Sequence, residues 1–173
     1  MRGSGWRIIA GLAIVMLGSV GATGPAAAPA AGPPEAEVAA VALDPATHHP
    51  IVILQSKRDR RTLVLAIGPF EATGIAIALE GRTPPRPLTH DLFLTVLGDL
   101  RATLRRVVVT DLRDDVFYAE LHLTTGGAPL TVDARPSDAI ALALRARVPI
   151  LVEERVFEKA ERVPGRPDSA PTL

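Results

Sequence analysis

The chain lacks cysteine and is poor in aromatic residues, which make up 3% of its 173 positions. Without cysteine, disulfides, thiolate nucleophiles and zinc fingers are excluded, so the core must hold together without covalent links. The 19 basic residues are balanced by 19 acidic ones, for a formal net charge of zero. This excludes the strongly basic composition typical of proteins that grip nucleic acid over a broad surface, although a local basic patch remains compatible with it.

The chain also lacks the short motifs of several enzyme classes. It has no G-x-G-x-x-G following a strand, no H-E-x-x-H and no EF-hand loop. Its lysines are Lys57 and Lys159, and neither stands in a phosphate-binding P-loop. The sequence therefore indicates no dinucleotide, ATP or zincin chemistry.

The N-terminal segment has the charge-then-apolar order of a secretory signal peptide. Arg2 and Arg7 precede an apolar run from Ile8 to Val20, and small residues suit cleavage after Ala22 or after Ala30. We therefore expect the first thirty residues to be a signal peptide and the chain to be exported, to the periplasm or outside the cell. The alternative is an uncleaved membrane anchor, but the run is shorter than the roughly 20 residues that span a bilayer.

Composition then divides the remainder of the chain. A stretch rich in proline and alanine predicts a linker over residues 31–38, a folded domain over 39–160 and a disordered tail over 164–173. Cleavage of the leader would remove Arg2 and Arg7. The mature chain would then hold 17 basic and 19 acidic residues, for a net charge of 17 − 19 = −2.

Hydrophobic periodicity and turn signals predict a single compact α+β domain, in which about three main helices pack on a mixed sheet made of a meander and a hairpin. The predicted strands cover residues 35–43, 50–55, 61–67, 106–111, 116–124, 129–133 and 148–152. The predicted helices cover residues 69–80, 92–104, 139–146 and 153–159. The helix over 92–104 is amphipathic, and the helix over 139–146 is apolar nearly all round.

A first polar cluster, Asp133 with Arg135, Ser137 and Asp138, takes the chain from a strand into a helix start. Free N–H groups and the positive end of the helix dipole favour an anion such as phosphate there. Arg135 could add a bidentate contact, and Asp133 or Asp138 could hold a divalent cation. The simpler explanation is that Ser137 or Asp138 caps the helix while Arg135 pairs with a neighbouring acid.

A second cluster, Thr89-His90-Asp91, opens the amphipathic helix. Histidine can transfer protons or bind a metal at neutral pH, and the adjacent aspartate could orient it or share the ion. Capping by Thr89 or Asp91, with His90 hydrogen-bonded nearby, is the simpler explanation.

Glu71 and Glu80 lie on the first predicted helix, nine residues apart and therefore on opposite faces. The helix dipole stabilises Glu71 in the first turn and disfavours Glu80 at the C-terminal end, so Glu80 needs a partner. Glu120 and His122 share one face of a strand and could begin a metal site. Without a third ligand, a solvated or inter-subunit sheet face is the better explanation for that pair.

Six segments occur in a characteristic order along the chain: Ile67 to Ala72, Ala78 to Gly81, Pro85 to Leu92, Val109 to Leu112, Phe117 to Ala119, and Val132-Asp-Ala-Arg-Pro-Ser-Asp-Ala-Ile-Ala-Leu-Ala143. Together they closely resemble the bifunctional nuclease family. The resemblance covers nearly the whole expected domain. It implies cleavage of RNA and DNA, a mixed α/β fold and self-association into a homo-oligomer.

The resemblance also nominates site residues, among them all three places already found. The candidate catalytic residues are His90, Asp91, Asp138 and Glu80. The candidate substrate-binding residues are Arg86, Arg135, Ser137 and Thr89. The candidate ligands for a divalent metal, Mg²⁺ or Mn²⁺, are Asp133, Asp138, Asp91 and Glu71.

The leading hypothesis is an exported, metal-assisted phosphodiesterase acting on RNA or DNA. In it, phosphate docks at Ser137, Arg135 and Arg86, and His90 serves as general acid or base. The alternative is a non-catalytic oligomeric module that binds an anionic ligand or partner with the same helix start, its acids acting as caps.

Overall fold

A computed structural model describes residues 32–162, all within one compact unit. The expected signal peptide and C-terminal tail lie outside the described residues. The strands are β1 (Glu35–Leu43), β2 (Pro50–Ser56), β3 (Thr62–Ala66), β4 (Ala102–Arg113), β5 (Val116–Thr125), β6 (Ala128–Ala134) and β7 (Ile150–Val152). The helices are α1 (Pro69–Leu79), α2 (Thr89–Asp99), α3 (Pro136–Ala146) and α4 (Glu154–Glu161). The predicted α+β class is confirmed. No helix within residues 32–162 combines the length and apolar character needed to cross a membrane.

The strands form one mixed sheet in the order β3-β2-β1-β7-β4-β5-β6. β7 pairs parallel with β4 and antiparallel with β1, and the remaining pairs are antiparallel. The turn between β4 and β5 consists of Asp114 and Asp115, both with positive φ (49° and 60°). Two residues in this conformation match the right-handed twist of a tight hairpin, and aspartate tolerates it better than most residues.

The core lies between the sheet and the helices, with α3 at its centre. On β5 the buried residues alternate, at Ala119, Leu121 and Leu123, as expected for a strand with one face on the core. α3 packs against α1, α2, β4 and β5. Because Ala139 and Ala143 are small and fully buried, α3 can approach its neighbours closely, which brings the starts of the helices together.

The predicted opening of the amphipathic helix at Thr89-His90-Asp91 is confirmed, but its predicted extension to residue 104 was wrong. α2 begins at Thr89 and ends at Asp99, and Arg101 then adopts a left-handed conformation (φ 55°) that turns the chain into β4. Leu104 is buried, as predicted for an apolar helix position (5% exposed), but it belongs to strand β4 and not to the helix. Its apolar spacing from Leu97 fits a helix face, and spacing alone does not reveal the break between them.

The folded domain also starts earlier than residue 39. Glu35 to Val38 belong to β1, where Ala36 pairs with both Ser56 and Ile150. Before the strand begins, the carbonyl of Pro34 already accepts a hydrogen bond from the Val152 N–H at 3.0 Å. The expected linker over residues 31–38 therefore extends no further than Pro34.

Candidate active site

Four candidate residues, Glu71, His90, Arg135 and Asp138, come together where α1, α2 and α3 begin. α1 and α3 start alike, because each has proline at its first position and an acid at its third, Glu71 and Asp138. Proline suits this place, since its missing N–H would have no partner in a first turn. Neither helix has a side-chain cap, so the capping explanation for Ser137 and Asp138 is wrong.

Arg135 links the two acids. Its Nη1 donates to Glu71 Oε1 at 2.8 Å, its Nε donates to Asp138 Oδ2 at 2.7 Å and its Nη2 donates to Asp138 Oδ1 at 3.2 Å. The hydrogen bond to Asp138 is the main reason that the pKa of Arg135 is raised above its ordinary value. Three of the five guanidinium N–H groups are engaged, which leaves two for another acceptor.

His90 is oriented by Asp138, with its Nε2 lying 3.2 Å from Asp138 Oδ1. Burial raises the pKa of Asp138, but the hydrogen bonds and charges of Arg135 and His90 outweigh it, and the net pKa is lowered. Asp138 is therefore ionised at neutral pH and acts as an acceptor, so the Nε2 of a neutral His90 carries the proton. The lone pair then lies on Nδ1, the arrangement of a histidine poised as a base.

Asp91 lies beside His90 in the sequence but serves another contact. Its Oδ2 accepts the Leu88 N–H at 2.9 Å, and its Oδ1 accepts Arg145 Nε at 2.9 Å. The capping explanation is therefore confirmed for Asp91, and the carboxylate that orients His90 comes from Asp138, 48 residues away.

Sequence reasoning missed Arg145, whose side chain is 8% exposed. Besides Asp91, its guanidinium donates to the carbonyls of Gly74 at 3.0 Å and Ala141 at 2.9 Å, so it joins α1, α2 and α3. A single charge in the apolar stretch of residues 139–146 was the available signal. Near a helix C-terminus, however, such a charge is explained equally well by the helix dipole.

The imidazole of His90 lies against Gly74 of α1. A Cβ atom at position 74 would lie 3.3 Å from His90 Cε1 and 3.5 Å from Nδ1. The first of these distances is tighter than an ordinary van der Waals contact. Gly74 therefore provides the space in which the histidine ring sits.

Two open clefts adjoin the cluster, and the Glu71–Arg135 ion pair lies between them. The His90 cleft, about 560 Å³, is lined by residues that include His90, Asp138, Thr89 and Phe70. The Ser137 cleft, about 300 Å³, is lined by Ser137, Asp115, Ala66 and mainly apolar neighbours. Both clefts include Glu71 and Arg135 in their walls.

The remaining candidates lie away from the cluster. Glu80 follows α1 at its C-terminal end and pairs with Arg82 at 2.5 Å, which identifies the partner that the helix dipole required. Arg86 is exposed in the loop before α2. Asp133 is exposed on β6, opposite Glu120 of β5.

The arrangement of the acids does not fit the divalent metal of the leading hypothesis. Within residues 32–162, no three or more histidine, aspartate or glutamate side chains are grouped so that they could hold a metal ion. Glu71 and Asp138 both bind Arg135, whose positive charge would repel a cation, and Asp91 binds Arg145. Metal assistance stays a prediction with no ligand set in the described part of the chain.

Comparisons with known proteins identify the family. The family model described as "Bifunctional nuclease domain" matches residues 52–164, which contain the whole cluster. An uncharacterized protein of Mycobacterium tuberculosis (strain ATCC 25618 / H37Rv) is 39% identical over 126 residues, covering 73% of this chain and 75% of that protein.

Plant proteins carry the family name. Bifunctional nuclease 1 of Oryza sativa subsp. japonica is 32% identical over 118 residues, covering 65% of this chain and 35% of that protein. Bifunctional nuclease 1 of Arabidopsis thaliana is 28% identical over 111 residues, covering 61% and 34%. The chain thus spans about a third of each plant protein. With more than half of its length matched by the family model, the chain belongs to the bifunctional nuclease domain family.

Proposed function

We propose that the chain is a phosphodiesterase that cleaves RNA or DNA, with its catalytic centre in the His90 cleft. The proposal rests on one observation: the Asp138 carboxylate binds both the His90 imidazole and the Arg135 guanidinium, side by side at an open cleft. The first group can transfer a proton and the second can bind a phosphate. The family and the names of the plant relatives support a nuclease-like function.

The phosphate would bind at Arg135 and the start of α3. Two guanidinium N–H groups are not engaged by Glu71 or Asp138, and the side chain is 65% exposed. The first-turn N–H groups of α3 have no side-chain cap, and the helix dipole adds a partial positive charge there. Thr89 lines the same cleft and can offer a hydroxyl.

His90 would act as the general base. Hydrolysis forms a bond between a water oxygen and phosphorus and breaks the bond from phosphorus to one ester oxygen. His90 Nδ1 takes the proton of the attacking water, and the leaving oxygen takes a proton from solvent. Asp138 stabilises the imidazolium that forms, and Arg135 stabilises the added negative charge on the phosphoryl oxygens.

The charges of the cluster limit how strongly it can hold a polyanion. The net charge of the cluster formed by Glu71, His90, Arg135 and Asp138 is −1 when His90 is neutral and zero when His90 is protonated. Binding would therefore depend on a few directed hydrogen bonds instead of a broad positive field. We expect the affinity for single strands to fall only weakly with added salt, as for a protein that neutralises about one or two phosphates.

The test is cleavage of single-stranded RNA and single-stranded DNA by the purified chain and by His90→Ala and Asp138→Asn. Loss of a general base lowers the rate by roughly 10² to 10⁴-fold, so we expect His90→Ala to lose nearly all activity. His122→Ala is the matched control, because His122 also pairs with a carboxylate, Glu120, at 3.3 Å. Activity that survives both site substitutions, or that a mock purification reproduces, would overturn the proposal.

A chelator arm decides the role of metal. The geometry of the acids leads us to expect that EDTA leaves cleavage unchanged. Complete loss with EDTA, and recovery with Mg²⁺ or Mn²⁺, would instead support metal assistance and refute the argument from Arg135.

Export and self-association remain part of the proposal. The signal peptide prediction rests on residues 1–30 and is tested by N-terminal sequencing of the protein from the culture medium or periplasm. Self-association is consistent with α2, whose exposed large apolar residues are Leu92 (56%), Phe93 (40%), Val96 (44%) and the following Leu100 (68%). Light scattering coupled to size-exclusion chromatography measures the oligomer directly.

A further inference from the structure

We propose that the Ser137 cleft binds a nucleobase, so that the base beside the cleaved phosphate is read on the far side of the Glu71–Arg135 ion pair. The substrate class rests on the proposed function, but the cleft itself is argued from its own walls.

The first observation is a buried hydroxyl with no partner. Ser137 is 7% exposed, it lines the cleft, and its Oγ makes no hydrogen bond with any residue from 32 to 162. The other buried polar residue of the described chain, Ser56, behaves differently, because its Oγ accepts the Asp59 N–H at 3.4 Å. Buried polar groups are normally satisfied, so the Ser137 hydroxyl needs a ligand that bonds to it.

The second observation is the backbone beside that hydroxyl. Ser137 is in the first turn of α3, where N–H groups have no intrahelical acceptor, and no side chain caps this helix. The cleft therefore presents a hydroxyl and a free amide next to each other. A ligand that fits must offer an acceptor close to a second polar atom, as the edge of a nucleobase does.

The third observation is the character of the walls. Most of the lining is apolar: Leu65, Ala66, Ile67, Val116, Phe117 and Pro136. The charged residues are Glu71, Asp115 and Arg135, which sum to −1. A neutral ring with apolar faces and a polar edge matches walls that are mostly apolar.

Asp115 gives the cleft a preference. A carboxylate accepts hydrogen bonds and cannot donate them, so it favours a base with an exocyclic amino group. Cytosine presents such a group, and uracil has a carbonyl oxygen in its place. We therefore expect cytidine to bind more tightly than uridine.

The position of the cleft relative to the catalytic groups fits one nucleotide. Asp138 contacts His90, and the preceding residue, Ser137, lines the opposite cleft. Arg135 belongs to both walls and carries the two N–H groups proposed for the phosphate. A nucleotide held by its phosphate at Arg135 can place its base at Ser137.

The experiment titrates the ¹⁵N-labelled full chain with cytidine, uridine and ribose 5-phosphate, followed by amide chemical shifts. We expect cytidine to shift the amides of Ser137, Val116 and Phe117 in a saturable manner and uridine to do so at higher concentration. Ribose 5-phosphate can shift the Ser137 amide, because its phosphate binds at the start of α3, but it should leave the amides of Val116 and Phe117 unchanged. Shifts there with ribose 5-phosphate and with neither nucleoside would overturn the inference in favour of an anion site, and no shift with any of the three would refute it.

Two variants test the cleft directly. Ser137→Ala keeps the volume but removes the hydroxyl, and the loss of one neutral hydrogen bond should weaken cytidine binding about 5-fold. Ser56→Ala is the matched buried serine and should not change it. Ala66→Leu adds bulk from an exposed position of β3 and should abolish the cytidine shifts. Unchanged cytidine affinity in both Ser137→Ala and Ala66→Leu would exclude the cleft as the binding site.

Failure of this inference and failure of the proposed function give different results. If the chain cleaves no nucleic acid but cytidine still shifts the Ser137 amide, the base subsite stands and the catalytic proposal falls. If cleavage depends on His90 while no nucleoside shifts the Ser137 amide, the base subsite falls alone.

Discussion

Replacing Arg145 with methionine should be among the most destabilising single changes in the domain. The guanidinium of Arg145 is 8% exposed and donates to Asp91, to the Gly74 carbonyl and to the Ala141 carbonyl. Methionine has similar length and no donor, so the substitution leaves one carboxylate and two carbonyls without that partner. These acceptors belong to α2, α1 and α3, so the substitution removes the side chain that connects these three helices.

The magnitude follows from the exposure of the partners. Removing one member of a buried ion pair costs about 3 to 5 kcal/mol. The Asp91 side chain is 33% exposed, so water can solvate it in part and the lower end of that range applies. We expect the free energy of unfolding of Arg145→Met to fall by about 3 kcal/mol.

Urea denaturation followed by circular dichroism measures this change. Arg60→Met is the matched control, because Arg60 is 67% exposed and lies 3.5 Å from Glu37, and exposed pairs contribute only about 0 to 1 kcal/mol. Combining Arg145→Met with Asp91→Asn removes the unpaired charge, so the double variant should be less destabilised than the sum of the two single variants. A loss below about 1 kcal/mol for Arg145→Met, or strict additivity in the double variant, would refute the reasoning.

Three further predictions concern the cluster around Asp138. Gly74→Ala places a Cβ 3.3 Å from His90 Cε1, which displaces the imidazole, so single-turnover cleavage should slow at least several-fold. The higher helix propensity of alanine, worth up to about 1 kcal/mol, should offset the crowding and keep the urea midpoint near that of the wild type. A wild-type cleavage rate would contradict this prediction. The pKa of Asp138 is lowered on folding, so the stability that its ionised form contributes is fully present above its ordinary pKa of 3.8 and is lost as the pH falls through the lowered value. Asp138→Asn should remove that part of the pH dependence and lower the free energy of unfolding at pH 7 by about 1 to 2 kcal/mol. Denaturation from pH 2 to 7 measures both effects, and an unchanged pH profile would exclude the contribution. Phe70 lines the His90 cleft and is 88% exposed, so Phe70→Ser should leave the free energy of unfolding within about 0.5 kcal/mol of the wild type. If a base stacks on this ring, the substitution should raise KM for single-stranded RNA about 10-fold. An unchanged KM would show that no base stacks there.

Local patterns predicted the elements well where the pattern and the packing agree. β1 has the predicted bounds, Glu35–Leu43, because an apolar run flanked by proline and turn residues has few alternative structures. The end of α2 could not be predicted in the same way. The break is made by Arg101, a residue with good helix propensity that nevertheless adopts a left-handed conformation and leads the chain into β4, whose first buried residue is Leu104.

The pairing of the site residues is the part that sequence could not supply. Glu71 and Arg135 are 64 residues apart, and no local period connects them. The resemblance included Glu71, His90, Arg135 and Asp138, which the structure brings together, but it did not assign carboxylates to partners. Asp91 follows His90 directly, yet neighbours on a helix point about 100° apart, so Asp91 turns to Arg145 and leaves His90 to Asp138.

The placement of β7 has a consequence for the order in which this domain can be assembled. β1-β2-β3 and β4-β5-β6 are each complete before residue 150 is made, but within the sheet they are joined only through the three residues of β7. A chain shortened to residue 149 would consist of two three-stranded sheets, each with an unpaired inner edge open to other chains. The last strand in sequence thus closes the middle of the sheet, so a nascent chain stays prone to aggregation at both inner edges until Ile150–Val152 arrives.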